Sequence, residues 1–186
     1  MSCIASGALP YSLCAAATRY GGLMSTLVVQ AHPLDDSYNA ALLASVRSGL
    51  DACGEHYALF RLGEDERPAA ADLLAVERLV LIYPTWNSGQ PAMLLDWLHE
   101  MLGAAAFTSV TQVHAATTHG SSKLVNMMQG DWGRRFLAER VVAGCAPGAG
   151  FDWHALYKID RRSFAETTAF LEQTQRHFSK VPLPAR

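Results

Sequence analysis

The sequence predicts an α/β fold: a doubly wound, five-stranded parallel sheet with strand order 2-1-3-4-5. Three observations point there. Short apolar runs alternate along the chain with stretches whose apolar residues recur at helical spacing. Strands that alternate with helices imply a parallel sheet covered on both faces. The length, 186 residues, suits one such domain with a real core.

The elements follow in order. TLVVQAH (26–32) is β-branched and apolar and ends in polar residues, so it reads as a buried strand. After PLDDS, residues Tyr38, Leu42, Leu43, Val46 and Leu50 recur at helical spacing, and Gly54 stops the helix. HYALFRL (56–62) is a second strand, and GEDERPAAAD is a polar connection with room for one short helix. RLVLIY (78–83) is a third strand. Leu94, Trp97, Leu98, Met101 and Leu102 then mark a helix face. VTQVHAATT (110–118) is a fourth strand, followed by a loop with helical pieces and a helical stretch over 132–143. FDWHALYKI (151–159) is a fifth strand. Phe164, Thr168, Leu171, Thr174 and Phe178 mark a last helix, and VPLPAR frays. Residues 1–23 are small, apolar and weakly patterned, without the basic start of a signal peptide, and are expected to be a non-structural extension. Residues 24–186 then make a single domain, with no internal repeat.

Composition excludes several classes. Half the residues are hydrophobic and the net charge is −2. A nucleic-acid partner is not expected, because phosphate backbones select a basic face. No apolar run approaches the ~18 residues that span a bilayer. Cys3, Cys14, Cys53 and Cys145 are scattered without a CxxC pair, which suits free thiols in a reducing, cytoplasmic compartment.

In open parallel sheets ligands bind beyond the carboxyl ends of the strands, where the strand order reverses. That rule selects three loops, 32–39, 84–91 and 117–126. The first, HPLDDSYNAAL, has neither the GxGxxG nor the GxxxxGK[ST] pattern. It offers His32, Ser37 and Asn39 beside a helix N-terminus, where free N–H groups and the helix dipole favour an anion. Taken alone, Ser37 reads equally as an N-cap. The second, YPTWNSGQPAM, is stiffened by Pro84 and Pro91, and Gly89 lets backbone approach a ligand. Its Trp86 is either a wall for a flat heterocycle or a core residue under a turn. The third, TTHGSSK, supplies hydroxyls, a tight turn at Gly120 and Lys123; alone it reads as a capped, solvated turn.

Together the loops resemble the NAD(P)H dehydrogenase (quinone) family of flavodoxin-like proteins. HPLDDSYNAAL is similar to that family's HPxxxSxNxAL at His32, Pro33, Ser37, Asn39, Ala41 and Leu42. PTWNSGQPAMLLDWL resembles its PxWWxxxPAxLKxWxD turn and helix, and TTHGSSK its TTGG loop. The resemblance implies FMN or FAD, NAD(P)H as electron donor, a quinone-like small-molecule acceptor and a homodimer. It implies that His32, Ser37, Tyr38 and Asn39 hold the flavin phosphate region. Pro84, Thr85, Trp86 and Asn87 would lie along the isoalloxazine, and Thr117, Thr118, His119 and Gly120 would reach its polar edge. Departures fall at Asn87 for the family's second tryptophan, Leu95 for its lysine, His99 for its aspartate and His119 for a glycine. The family's Tyr and His after the third loop have no counterpart in KLVNMMQGDWG, so no catalytic residue is carried over. The same resemblance includes ancillary subunits of potassium efflux systems, which makes a regulatory protein with weak or lost catalysis the alternative.

Other candidates are weaker. Asp152 and His154 lie two apart on one strand without an evident third metal ligand. Ser121, His119 and Asp131 lack the GxSxG elbow of a triad. Trp132 and Trp153 read as core or dimer-face aromatics. His56, His114 and His177 have no sequence context that sets them apart.

Overall fold

The computed structural model of the chain describes residues 25–34, 36–65 and 68–180. The expected extension over 1–23 and the fraying VPLPAR lie outside these residues. Five parallel strands form the sheet: β1 (Thr26–Gln30), β2 (Tyr57–Arg61), β3 (Arg78–Thr85), β4 (Gln112–His119) and β5 (Gly150–Tyr157). Their order is β2-β1-β3-β4-β5, as the alternating pattern implies. The helices are α1 (Tyr38–Ala52), α2 (Ala92–Gly103), α3 (Lys123–Met128), α4 (Trp132–Phe136) and α5 (Phe164–Phe178). A short 3-10 turn, Ala70–Leu73, is the helical piece of the polar connection.

The two sheet faces carry separate cores. Odd-numbered residues of β1, β3 and β4, such as Val29, Leu81 and Ala115, pack with Leu94, Trp97, Leu98 and Met101 of α2. Val28, Val80, Ile82 and Ala116 pack on the other face against α1 and against Phe170 and Phe178 of α5. On that second face α1 and α5 come very close at Gly49. A Cβ there would lie 2.6 Å from the Gln175 carbonyl oxygen and 2.7 Å from Phe178 Cβ. Gly49→Ala is therefore expected to destabilise the protein by about 1–3 kcal/mol through overpacking, against the ~1 kcal/mol that alanine gains in helix propensity. Urea unfolding monitored by circular dichroism measures it; a stabilised variant would contradict this packing.

Several boundaries differ from the sequence pattern, each for a local reason. β3 was expected to end at residue 83 but runs on through Pro84 and Thr85. Its pairing with β1 stops at Ile82, whereas its pairing with β4 continues to Thr85. Pro84 thus sits where one edge of β3 has no neighbour, and its missing N–H breaks no ladder. β4 begins at Gln112 rather than 110, because Val110 N–H closes a turn onto the Phe107 carbonyl. β5 stops at Tyr157 rather than 159, because Lys158 is left-handed at φ 59°. The helical stretch over 132–143 is α-helix only to Phe136; it widens to a π turn over Leu137–Val141 and closes as 3-10. In α5 the expected inward position Phe164 is 87% exposed. It is the first residue of that helix, ahead of the buried stripe of Phe170, Thr174 and Phe178.

Candidate functional site

The separation of β1 from β3 beyond Ile82 opens a crevice at the reversal of strand order, and the three loops converge on it. Ser37 caps α1: its Oγ accepts from Ala40 N–H at 3.2 Å and donates to the Leu34 carbonyl at 3.0 Å. The first-turn N–H groups of α1 have no acceptor inside the helix, so this end can take an anion. Asn39 is buried in that turn, and its Oδ1 has no hydrogen-bond partner among the described residues. Tyr38 turns the other way. Its hydroxyl donates to the Thr167 carbonyl of α5 at 2.9 Å, and burial pushes its pKa up to about 12. What Tyr38 can offer a ligand is its backbone N–H.

The second loop answers the question of Trp86. The indole is 45% exposed, which excludes the core reading. It faces His32, with ring centroids 6.3 Å apart. Trp86 and Gly89 exchange both backbone hydrogen bonds, at 3.0 and 2.9 Å, around Asn87 and Ser88. Both central residues have positive φ, 49° and 64°. Asparagine tolerates that conformation better than tryptophan does, which gives the departure at Asn87 a backbone cause. The turn is held from the α4 side. Ser88 Oγ donates to Gln129, Gly133 N–H donates to the Ser88 carbonyl, and the Trp132 ring lies where a Gly89 Cβ would be. Trp132 in turn stacks on Phe136. Of the two departures on α2, Leu95 is half-buried and the exposed His99 meets Phe136 edge-on.

The floor is a row of polar groups on the last rung of the sheet, where Thr85, His119 and Tyr157 are register partners. Thr85 Oγ1 lies 3.0 Å from Thr117 Oγ1 and 3.3 Å from His119 Nε2. His119 Nδ1 lies 3.2 Å from Asn126 Oδ1, and the ring stacks on Tyr157 at 4.5 Å. The proton order follows from the ends. Asn126 Nδ2 donates to Ser121 Oγ and the Ser122 carbonyl, so its Oδ1 faces His119 and accepts from Nδ1–H. Burial lowers the His119 pKa and favours the neutral ring, so Nε2 accepts from the Thr85 hydroxyl. Thr117 then donates to Thr85, and beside it Tyr83 accepts from Gln90 Nε2 at 3.2 Å. Burial holds the Tyr83 phenol far above its usual range, so this hydroxyl stays protonated. The result is one directed chain from Thr117 to Ser121.

These contacts also dispose of the triad. Ser121 Oγ accepts from Asn126, and His119 is spent on Asn126 and Thr85. Pro84 and Thr118 are buried in the strands, whereas Gly120 is exposed beside Asp160. Asn126 anchors the chain of hydrogen bonds and Gln90 holds the Tyr83 hydroxyl beside it, yet the sequence pattern does not single out either. Only the strand register reveals their partners.

No family model and no curated protein matches the chain. Among solved structures, it is similar to an NAD(P)H:quinone oxidoreductase from Methanothermobacter marburgensis, with 16% identity and a TM-score of 0.71 over 87% of this chain and 97% of that one. It is similar to an NADPH-quinone reductase from P. pentosaceus, with 16% identity and a TM-score of 0.62 over 86% and 100% of the two chains. An FMN-dependent NADH-azoreductase from Bacillus anthracis str. Ames Ancestor, solved in complex with FMN, gives 11% identity and a TM-score of 0.66 over 85% and 99%. At these identities the likeness establishes the fold, which is flavodoxin-like.

Proposed function

We propose that the protein is a flavin-dependent NAD(P)H oxidoreductase that binds FMN and reduces quinones or similar small electrophiles. The observation that carries this reading is the donor set at the crevice. A helix N-terminus suited to a phosphate stands beside a solvent-facing indole on a rigid turn, above a hydroxyl-lined floor. The residues fit a flavin mononucleotide. The α1 N–H groups and the Ser37 hydroxyl suit the phosphate, with His32 beside them. The orphaned Oδ1 of Asn39 needs a hydroxyl donor, which a ribityl chain supplies. Pro84, Thr85, Trp86 and Asn87 would flank the ring, and Thr117, Thr118, His119 and Gly120 would meet its polar edge. A bound flavin supplies two-electron hydride transfer between the nicotinamide and the acceptor. The chain's own contribution is to orient the ring, exclude water and keep a neutral imidazole next to it. FMN rather than FAD is favoured by the neighbour solved with FMN.

The functional unit in this reading is a cytoplasmic homodimer. Leu34, Trp86, Leu124, Met127, Met128 and Trp132 are 45–80% exposed, and they lie on the segments that follow β1, β3 and β4. Such an apolar surface suits burial by a second copy that completes the acceptor pocket. No helix among the described residues is long and apolar enough to cross a membrane.

The test is the visible spectrum of the purified protein before and after incubation with FMN or FAD and desalting, followed by NAD(P)H oxidation with a quinone. Retained flavin bands and quinone-dependent turnover are expected. A colourless protein that keeps neither flavin would sink the reading and leave the regulatory alternative.

A further inference from the structure

A second cluster of titratable groups lies near the amino ends of the strands, on the sheet face covered by α5. His114 of β4 and Asp152 of β5 are register partners. His177 reaches the same point from the last turn of α5. His114 Nδ1 is 3.4 Å and His177 Nε2 is 2.8 Å from the same carboxylate oxygen, Asp152 Oδ2. The three ligand atoms all lie within 4.8 Å of one another. His154, the neighbour that sequence pairs with Asp152, is not among them. Its Nε2 bonds Thr174 Oγ1 at 2.8 Å. The third group that sequence spacing does not supply comes from the fold, which brings His114 and His177 to the same carboxylate.

The geometry is poor for a hydrogen-bonded triad and good for a metal. His177 Nε2 finds no hydrogen-bond partner among the described residues, despite its 2.8 Å approach to the carboxylate. Its N–H does not aim at the oxygen. The His114 contact, at 3.4 Å, is long. Zinc bonds of ~2.0–2.1 Å at tetrahedral angles put neighbouring ligand atoms ~3.3 Å apart. The two observed separations straddle that value. Two imidazoles and one carboxylate are a borderline-soft set that suits zinc rather than the all-oxygen cages of calcium or magnesium. His114 is 6% exposed, whereas the side chains of Asp152 and His177 are 38% and 32% exposed, so the cluster lies near the edge of the packing between α5 and the sheet. His154 is a positioning residue: it stacks on the His177 ring at 5.0 Å and 13°, and on Phe170 at 4.6 Å.

We propose that His114, Asp152 and His177 bind one divalent transition-metal ion of the zinc class and so clamp the last helix to the sheet. The site is separate from the crevice, and its test does not depend on flavin. The untagged full-length chain, stripped with a chelator, is titrated with Zn2+ by calorimetry, with Mg2+ as the control. A single Zn2+ per chain is expected at this site, together with a rise in melting temperature. Co2+ should give visible d–d bands without a thiolate charge-transfer band, which separates the site from the cysteines. Asp152→Asn and His177→Gln should each weaken Zn2+ binding by at least ~10–100-fold, since losing a ligand costs no less than losing its support. Far-UV circular dichroism confirms that each variant is folded; His177 is half-exposed and its glutamine variant keeps the helix. Zn2+ binding no stronger than Mg2+ binding overturns the proposal. So do Asp152→Asn and His177→Gln variants that bind Zn2+ like the parent.

Discussion

Glu55→Ala is expected to destabilise the protein by about 3–5 kcal/mol, the cost of breaking a buried ion pair from one side. Glu55 and Arg78 are 5% and 2% exposed. Arg78 Nη1 lies 3.1 Å from Glu55 Oε1. The same oxygen accepts from the Thr26 hydroxyl and, at 3.4 Å, from Ser25 Oγ. One carboxylate therefore joins the start of β1, the start of β3 and the entry to β2. Alanine removes this carboxylate but not the buried guanidinium beside it. At roughly 2–4 °C per kcal/mol for a domain of this size, the melting temperature should fall by about 10 °C. Glu55→Gln keeps acceptor and shape and should cost less. The double variant Glu55→Ala/Arg78→Met, with both charges gone, should recover much of the loss. If the single and double variants melt together, the ion pair contributes little and the deficit is a packing effect.

That pair shows where sequence reading stops. Periodicity finds strands and helices because burial on a face repeats along the chain: Val28, Val80 and Ala116 on one side, Leu81 and Trp97 on the other. The strand order and the three crevice loops were legible for the same reason, since chain alternation and the strand-order rule act on elements rather than on atoms. Glu55 and Arg78 are 23 residues apart in sequence, and nothing local marks them as partners. The metal cluster is a stronger instance. Asp152 and His154 share a strand face and invite pairing, yet the better partners of Asp152 come from β4 and α5. Side-chain convergence across strands depends on register, and register is a property of the assembled sheet.

Within the crevice the same division holds. Ser37 as N-cap and the rigidity of the second loop follow from local chemistry, and the structure has both. The departure at Asn87 has a conformational reason in the turn it occupies, which sequence comparison alone does not show. His119 stands where the resemblance has a glycine. It is the middle of a hydrogen-bond chain that runs from Thr117 through Thr85 to Asn126 and Ser121. A polar network is invisible in sequence until its members are adjacent in space.

Ser37→Asp separates a phosphate-anchoring helix end from a merely structural cap. Aspartate caps a helix as well as serine does, so the fold and melting temperature should stay close to those of the parent. The Ser37 oxygen sits at the first turn of α1, 3.2 Å from Ala40 N. A carboxylate there would face the phosphate of FMN at short range. At an effective dielectric of ~20, two unit charges about 4 Å apart repel by ~4 kcal/mol. That corresponds to an FMN affinity lower by on the order of 1,000-fold. Riboflavin, which lacks the phosphate, should bind parent and variant about equally. Flavin fluorescence quenching measures both constants. Equal losses for FMN and riboflavin would mean that the substitution disturbs the crevice as a whole. Unchanged FMN binding would place the phosphate elsewhere and remove α1 from the site. A large FMN-specific loss in a protein that melts like the parent would tie the N-terminus of α1 to the cofactor, because the substitution adds a charge and removes a hydroxyl donor at that helix end while keeping the cap.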